Sequence, residues 1–176
     1  MRLWPAVVYE WGSTVAEREG RFGCDRLLAD PDHELFRAVD VGAPASTVFR
    51  WLCQLRVAPY SYDRLDNGGR RSPQTLTPGI EQLAVGQRVM SVFRLVDYEQ
   101  DRSMTLSLRS RLFGRVTCTY RVDPLAPALS RLLVKVLVSY PMAWGLPMRA
   151  ILPPGDLVMM RRQLLNLKAL AEADAS

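Results

Sequence analysis

Phe113-Gly114-Arg115-Val116-Thr117-Cys118-Thr119-Tyr120-Arg121-Val122 decides the fold class of this chain. Val116, Cys118, Tyr120 and Val122 fall on one side of an extended backbone and Thr117, Thr119 and Arg121 on the other, the period of two that a strand imposes. The pattern predicts an antiparallel strand with one apolar face and one face open to water. Three comparable runs flank it, Val89 to Tyr98, Ser103 to Arg109 and Arg131 to Ser139, separated by short turn-rich breaks. Four successive strands with short connections predict a meander of hairpins.

Working outward toward the C-terminus, the pattern breaks between Pro141 and Pro154 into a connection that carries Trp144. From Asp156 to about Glu172, Leu157, Met160, Leu164, Leu167 and Ala171 step by three and four, while Arg161, Arg162, Lys168 and Glu172 take the other side. That spacing predicts a helix, roughly 25 Å long at 1.5 Å per residue, enough to cross a whole sheet.

Toward the N-terminus, residues 61 to 86 are dense in turn formers, among them Asn67-Gly68-Gly69, Pro73, Pro78, Gly79 and Gly86, and predict a long ordered loop. Val48, Trp51, Leu52 and Leu55 predict a helix over residues 45 to 55 behind Pro44, with a second short turn at Val57 to Tyr60. Glu34 to Val41 alternates as a strand and is stopped by Gly42 and Pro44. Residues 1 to 33 form an irregular extension, with a capping box at Thr14-Val15-Ala16-Glu17 and with Trp4, Tyr9 and Trp11 to pack it on the domain that spans residues 34 to 174.

With 176 residues, 48% apolar and 23% charged, the composition is that of one folded domain. No apolar run approaches the roughly 20 residues that cross a bilayer, and Leu3 to Val8 is too short for a signal-peptide core, so a cytoplasmic location is expected. Cys24, Cys53 and Cys118 are odd in number and unpaired in spacing, and His33 is the only histidine. A disulfide framework, a zinc site and a histidine-based triad are therefore not indicated, the cysteines reading as small buried hydrophobes and His33 as structural. Neither a phosphate-cradling loop nor a dinucleotide fingerprint occurs, and no cofactor is expected. The net charge of +5 is spread between acidic residues, which is weak support for nucleic acid as a partner.

The order of strand, helix, loop, meander and terminal helix is that of an α+β helix-grip fold. The chain resembles the START-like SRPBCC superfamily, in its polyketide cyclase/dehydrase-type bacterial members. The resemblance rests on Arg37-Ala38-Val39-Asp40-Val41-Gly42-Ala43-Pro44 with Val48, Phe49, Trp51 and Leu52, and on Tyr60-Ser61-Tyr62-Asp63-Arg64-Leu65-Asp66-Asn67 with Arg70-Arg71-Ser72. Val85-Gly86-Gln87 and the Met159 to Glu172 helix complete it. It implies a curved antiparallel sheet wrapped around a long C-terminal helix, with a cavity between them for a small hydrophobic molecule. The superfamily spans carriers, receptors and cyclases, so a fold of this kind does not fix an activity.

Inward side chains of the sheet and helix are the candidate cavity lining: Phe93, Leu106, Leu108, Cys118, Tyr120, Val134, Met160 and Leu164. Met90, Met104, Met142, Met148 and Met159 would suit an adaptable pocket. Tyr60, Tyr62, Asp63 and Asn67 are candidates for its mouth, where a few polar groups orient an apolar ligand. A competing, favoured account has Asp63 and Asp66 pairing with Arg70 and Arg71, Asn67-Gly68 making a turn, and the tyrosines packing on the helix. Three functions follow: binding a lipid or polyketide-like molecule, a cyclase or dehydratase reaction in which Tyr62, Tyr120 or Asp63 moves a proton, or a regulatory role through the N-terminal aromatics and Arg161-Arg162.

Overall fold

A computed structural model describes residues 3–63, 67–111, 113–140 and 145–176. Six antiparallel strands form one sheet: β1 (His33–Val41), β2 (Arg88–Val89), β3 (Phe93–Glu99), β4 (Ser103–Ser110), β5 (Gly114–Ala126) and β6 (Leu129–Ser139). Their order is β1-β6-β5-β4-β3-β2, so β2 to β6 are a pure meander and β1 closes its far edge. The predicted strand Val89 to Tyr98 is interrupted, because Met90 and Ser91 take left-handed φ angles of 48° and 63° and turn the chain between β2 and β3. Register aligns the inner residues in rows: Arg37, Val134, Tyr120 and Met104 in one, Leu35, Val136, Cys118 and Leu106 in the next.

Four α-helices with described bounds accompany the sheet among the described residues: α1 (Ala6–Glu10), α2 (Val15–Glu19), α3 (Ala45–Cys53) and α4 (Gly145–Asp174). The capping box of α2 forms as predicted, Thr14 Oγ1 accepting from Glu17 and the Glu17 carboxylate accepting from the Thr14 N–H. The extra turn beyond α3 is a 3-10 turn at Gln54–Arg56, earlier than predicted. Between residues 67 and 87 there is neither helix nor strand.

The terminal helix is longer than its apolar spacing suggests. It runs for 30 residues, about 45 Å at 1.5 Å per residue, and contains Pro153 and Pro154. A proline inside a helix leaves the carbonyl four residues earlier without its donor. Here the Trp4 indole N–H donates to Ala150 O at 2.8 Å, replacing the N–H that Pro154 lacks. Further along, the Lys168 ammonium donates to Asp40 O and the Gly42 N–H to Glu172, which fasten α4 to the end of β1.

The larger core lies between sheet, α3 and α4, with Phe49, Trp51, Leu52, Leu164, Leu167 and Ala171 buried in it. A second cluster occupies the opposite face of the sheet: Phe22, Cys24 and Leu28 against Phe36, Ala38, Leu133 and Leu137. The expectation of a wet outer face therefore fails along β5, where Thr117 and Thr119 are 1% and 2% exposed. The N-terminal segment covers them. At Thr119 the methyl packs while the hydroxyl is satisfied locally, Oγ1 accepting from the Cys24 N–H at 2.8 Å and lying 3.0 Å from Thr105 Oγ1, whereas Thr117 Oγ1 is buried without a partner among the described residues.

Candidate functional site

The C-terminal part of α4 closes fully on the core, but its middle does not: Leu164, Leu167 and Ala171 are buried, whereas Leu157, Met159 and Met160 are only partly so. Between that middle stretch and the sheet lies a cavity of about 220 Å³. Met90, Phe93, Val136, Met159 and Met160 form its apolar wall. Val92, which is exposed, also lines it, so the cavity opens beside the turn between β2 and β3. Pro59 and Ser61 line it from the other side and flank Tyr60, itself left-handed at φ 57°. Tyr60, Met90 and Ser91 are thus non-glycine residues held in costly backbone conformations next to one opening.

Besides Ser61, three polar side chains from the sheet and α4 line this apolar space. The Tyr120 hydroxyl donates to Gln163 Oε1 at 2.7 Å, and Gln163 Nε2 donates to Pro59 O at 2.6 Å and to Met90 Sδ at 3.2 Å. A carbonyl can only accept, so Pro59 fixes the orientation of the amide and hence the direction of the tyrosine proton. Burial raises the Tyr120 hydroxyl well above its usual pKa.

The third is Asp156. Its Oδ2 accepts from Arg37 Nη2 at 2.7 Å, and its side chain is 15% exposed where it lines the cavity. Burial raises the carboxyl above its ordinary pKa, and the neighbouring Arg37 guanidinium opposes that rise. Arg37 is fully buried and also donates to Phe36 O and Val8 O. Among the described residues nothing donates to the second oxygen, Asp156 Oδ1.

Cysteine chemistry is disfavoured. The three thiols are free and buried, and burial pushes Cys24 up to about 11, Cys53 to about 12 and Cys118 well above the usual value. His33, expected ahead of the first strand, starts β1 and is buried edge-on between Tyr9 and Tyr140.

Of the residues marked as candidates in the sequence, Phe93, Cys118, Tyr120 and Met160 line the cavity. Leu106, Val134 and Leu164 are fully packed in the core, and Leu108 lies partly buried against it. Tyr60, Tyr62 and Asp63 line a different space, an outer cleft of about 900 Å³ between the loop and α4 that also touches Arg71, Arg162 and Asn166. Ser61 is common to both spaces.

Tyr60 packs edge-on against Trp51 and donates to Pro73 O at 2.8 Å, while Tyr62 is exposed. Asp63 does not pair with an arginine as expected; its two oxygens accept from the Ser72 N–H and hydroxyl. Asn67 donates to Arg70 O across the turn and lines neither space. Asp66, Met142 and Trp144 lie outside the described residues.

Sequence reasoning missed Asp156, Gln163 and Arg37. A signal was present: Arg37 sits between Leu35 and Val39 on the inward phase of β1, and a guanidinium there requires a carboxylate. Asp156, Met160, Gln163 and Leu167 recur at spacings of four, three and four, one helix face.

No family model matches the chain, and no curated protein matches it significantly. Solved structures of similar fold do. The di-domain ARO/CYC protein StfQ from the steffimycin biosynthetic pathway aligns with a TM-score of 0.54 at 13% identity, over 81% of this chain and 51% of that one. BexL, the di-domain ARO/CYC protein of the BE-7585A pathway, gives 0.54 at 13%, over 80% and 46%. The chain therefore spans about half of each di-domain protein. A norcoclaurine synthase point mutant from Thalictrum flavum, in complex with a transition-state analogue, gives 0.53 at 10% over 81% and 96% of the two chains. A six-stranded antiparallel sheet closed on one long C-terminal helix, together with the likeness in fold to these structures, gives the chain a helix-grip fold.

Proposed function

We propose that this protein binds a small, largely apolar ligand in the cavity between sheet and α4. The observation that carries the proposal is the void itself, which lies beside the buried core and is walled by adaptable methionines around a fixed polar network. Protein interiors close-pack by default, so a retained void of this size calls for an occupant. At about 220 Å³ it exceeds the roughly 150 Å³ that accommodates benzene and falls below the roughly 300 Å³ at which pockets for drug-sized ligands begin. One or two fused rings suit it better than a long lipid chain. Each ~100 Å² of apolar ligand surface buried would contribute about 2.5 kcal/mol.

The test is titration of the full chain with one- and two-ring aromatics, read by ligand-observed NMR, beside native mass spectrometry of gently purified protein. Saturable binding in the wild type that is lost in Met160→Trp, with the melting temperature kept within a few degrees, supports the proposal. A wild-type protein that binds none of the panel sinks it.

A second reading, a cyclase- or dehydratase-type enzyme, is favoured by one observation: Asp156 presents a carboxylate raised by burial to an apolar cavity, the setting in which a carboxyl can move a proton. It moves the proton-transferring role away from Tyr62 and Asp63, which line the outer cleft. Turnover of an aromatic polyketide substrate that survives Asp156→Asn unchanged would remove this assignment.

A further inference from the structure

The hydrogen-bonding capacity that Tyr120, Gln163 and Asp156 bring to the cavity is one-sided. The Tyr120 proton is committed to Gln163 Oε1, and Gln163 Nε2 is committed to Pro59 O and Met90 Sδ. Arg37 turns its donors onto Phe36 O, Val8 O and Asp156 Oδ2. Apart from the Ser61 hydroxyl at the rim and the weakly donating Cys118 thiol, what the sheet and α4 leave for a ligand is acceptor: Asp156, whose Oδ1 receives no donor, the remaining lone pair of Tyr120 and the soft methionine sulfurs. A ligand group that could only accept would leave Asp156 Oδ1 unpaired in an apolar wall, which is costly.

We infer that the ligand enters with a neutral hydrogen-bond donor at its buried end, an alcohol or phenol hydroxyl received by Asp156 Oδ1. This rests on the cavity being a ligand site. The charge follows from the ion pair. Arg37 already balances Asp156, so a ligand ammonium would bring a second cation beside the guanidinium, and a ligand carboxylate would meet Asp156 as a like charge. A neutral hydroxyl satisfies the oxygen without disturbing the pair. Asp156 is then the residue that sets specificity, with Arg37 as the positioning residue that holds it.

The experiment is binding of 2-naphthol, naphthalene, 2-naphthoate and 2-acetylnaphthalene to the full chain, by ligand-observed NMR or calorimetry, in the wild type and in Asp156→Asn. In the wild type 2-naphthol is expected to bind at least about tenfold tighter than naphthalene, the advantage of a hydrogen bond to a charged acceptor, with 2-naphthoate weakest. In Asp156→Asn the amide must give its oxygen to Arg37 and turns its N–H toward the cavity. The preference then passes from the naphthol to the naphthyl ketone. Equal affinity of 2-naphthol and naphthalene in the wild type overturns the inference while leaving the cavity a ligand site, and this comparison does not depend on the variant folding. Failure of the wild type to bind any of the four overturns both.

Discussion

A guanidinium on the inward face of β1 is a costly placement, and its surroundings show how it is tolerated. Arg37 finds three oxygen partners, two of them backbone carbonyls on separate segments, and only its Nε lacks a partner among the described residues. A well-packed hydrophobic pair of similar volume would serve stability at least as well. The ion pair also places a carboxylate in the cavity wall. Gly12 makes the opposite point, that one missing atom can be essential. At φ 75° it passes Ala38 so closely that an added Cβ would lie 2.1 Å from the Ala38 carbonyl oxygen, beside the short parallel bridges Glu10 to Phe36 and Trp11 to Arg37. Gly12→Ala is expected to cost about 2 kcal/mol or more, measured by urea unfolding. A change below about 0.5 kcal/mol would show that the segment shifts freely on the sheet.

At the scale of elements, the N-terminal segment is part of the fold's packing and not an appendage to it. Phe22, Cys24 and Leu28 seal one face of the sheet, Val8 and Tyr9 join the other core, and Trp4 completes the hydrogen bonding of α4 at its prolines. Burying a side chain such as Phe22 or Leu28 contributes about 2 kcal/mol each. A chain beginning at Asp32 is therefore expected to melt well below the full chain and to bind a hydrophobic dye, because Phe36, Ala38, Leu133 and Leu137 become exposed. Unchanged melting and no dye binding would show that this face tolerates water. Of the N-terminal aromatics Tyr9 is 1% exposed, whereas Trp4 donates to Ala150 O and still remains 42% exposed, and Trp11 lies under Arg161.

For the molecule as a whole, stability should fall with acid in two separate steps. Burial between two tyrosines lowers the His33 pKa below 6.5, so the folded state prefers the neutral ring. The unfolded chain then binds more protons once pH drops below about 6.5, and the contribution of His33 is progressively lost from there down to its folded value. Burial alone would raise Glu17 and Glu172, but Arg131 and Thr14 on the first, and Lys168 and Gly42 on the second, hold both below 4.5. Their contribution is present above that value and is lost as pH falls through it toward their folded pKa values. Urea midpoints measured from pH 8 to 3 should show both steps, and His33→Phe should remove the upper one alone. A wild-type profile that is flat between pH 6.5 and 5 would refute the buried neutral histidine. Helices long and apolar enough to cross a membrane are absent among the described residues.

The sequence by itself determined the main elements and their order, because periods of two and of three to four are local, but not the break between β2 and β3, the helix α1 or the first eleven residues of α4. It also carried the capping box of α2, the meander and the burial of the three cysteines. Whether a given inward residue packs or faces a void was not local. Phe93 and Leu106 are both apolar strand residues, yet Phe93 lines the cavity and Leu106 is packed in the core. The wet face assigned to Thr117 and Thr119 became a buried one because the covering segment lies some ninety residues away in the chain. Arg37 and Asp156 are separated by 119 positions and become one ion pair when α4 lies across β1. Periodicity reports which way a side chain points; what it meets there is decided by packing between distant segments, and that belongs to the tertiary structure alone.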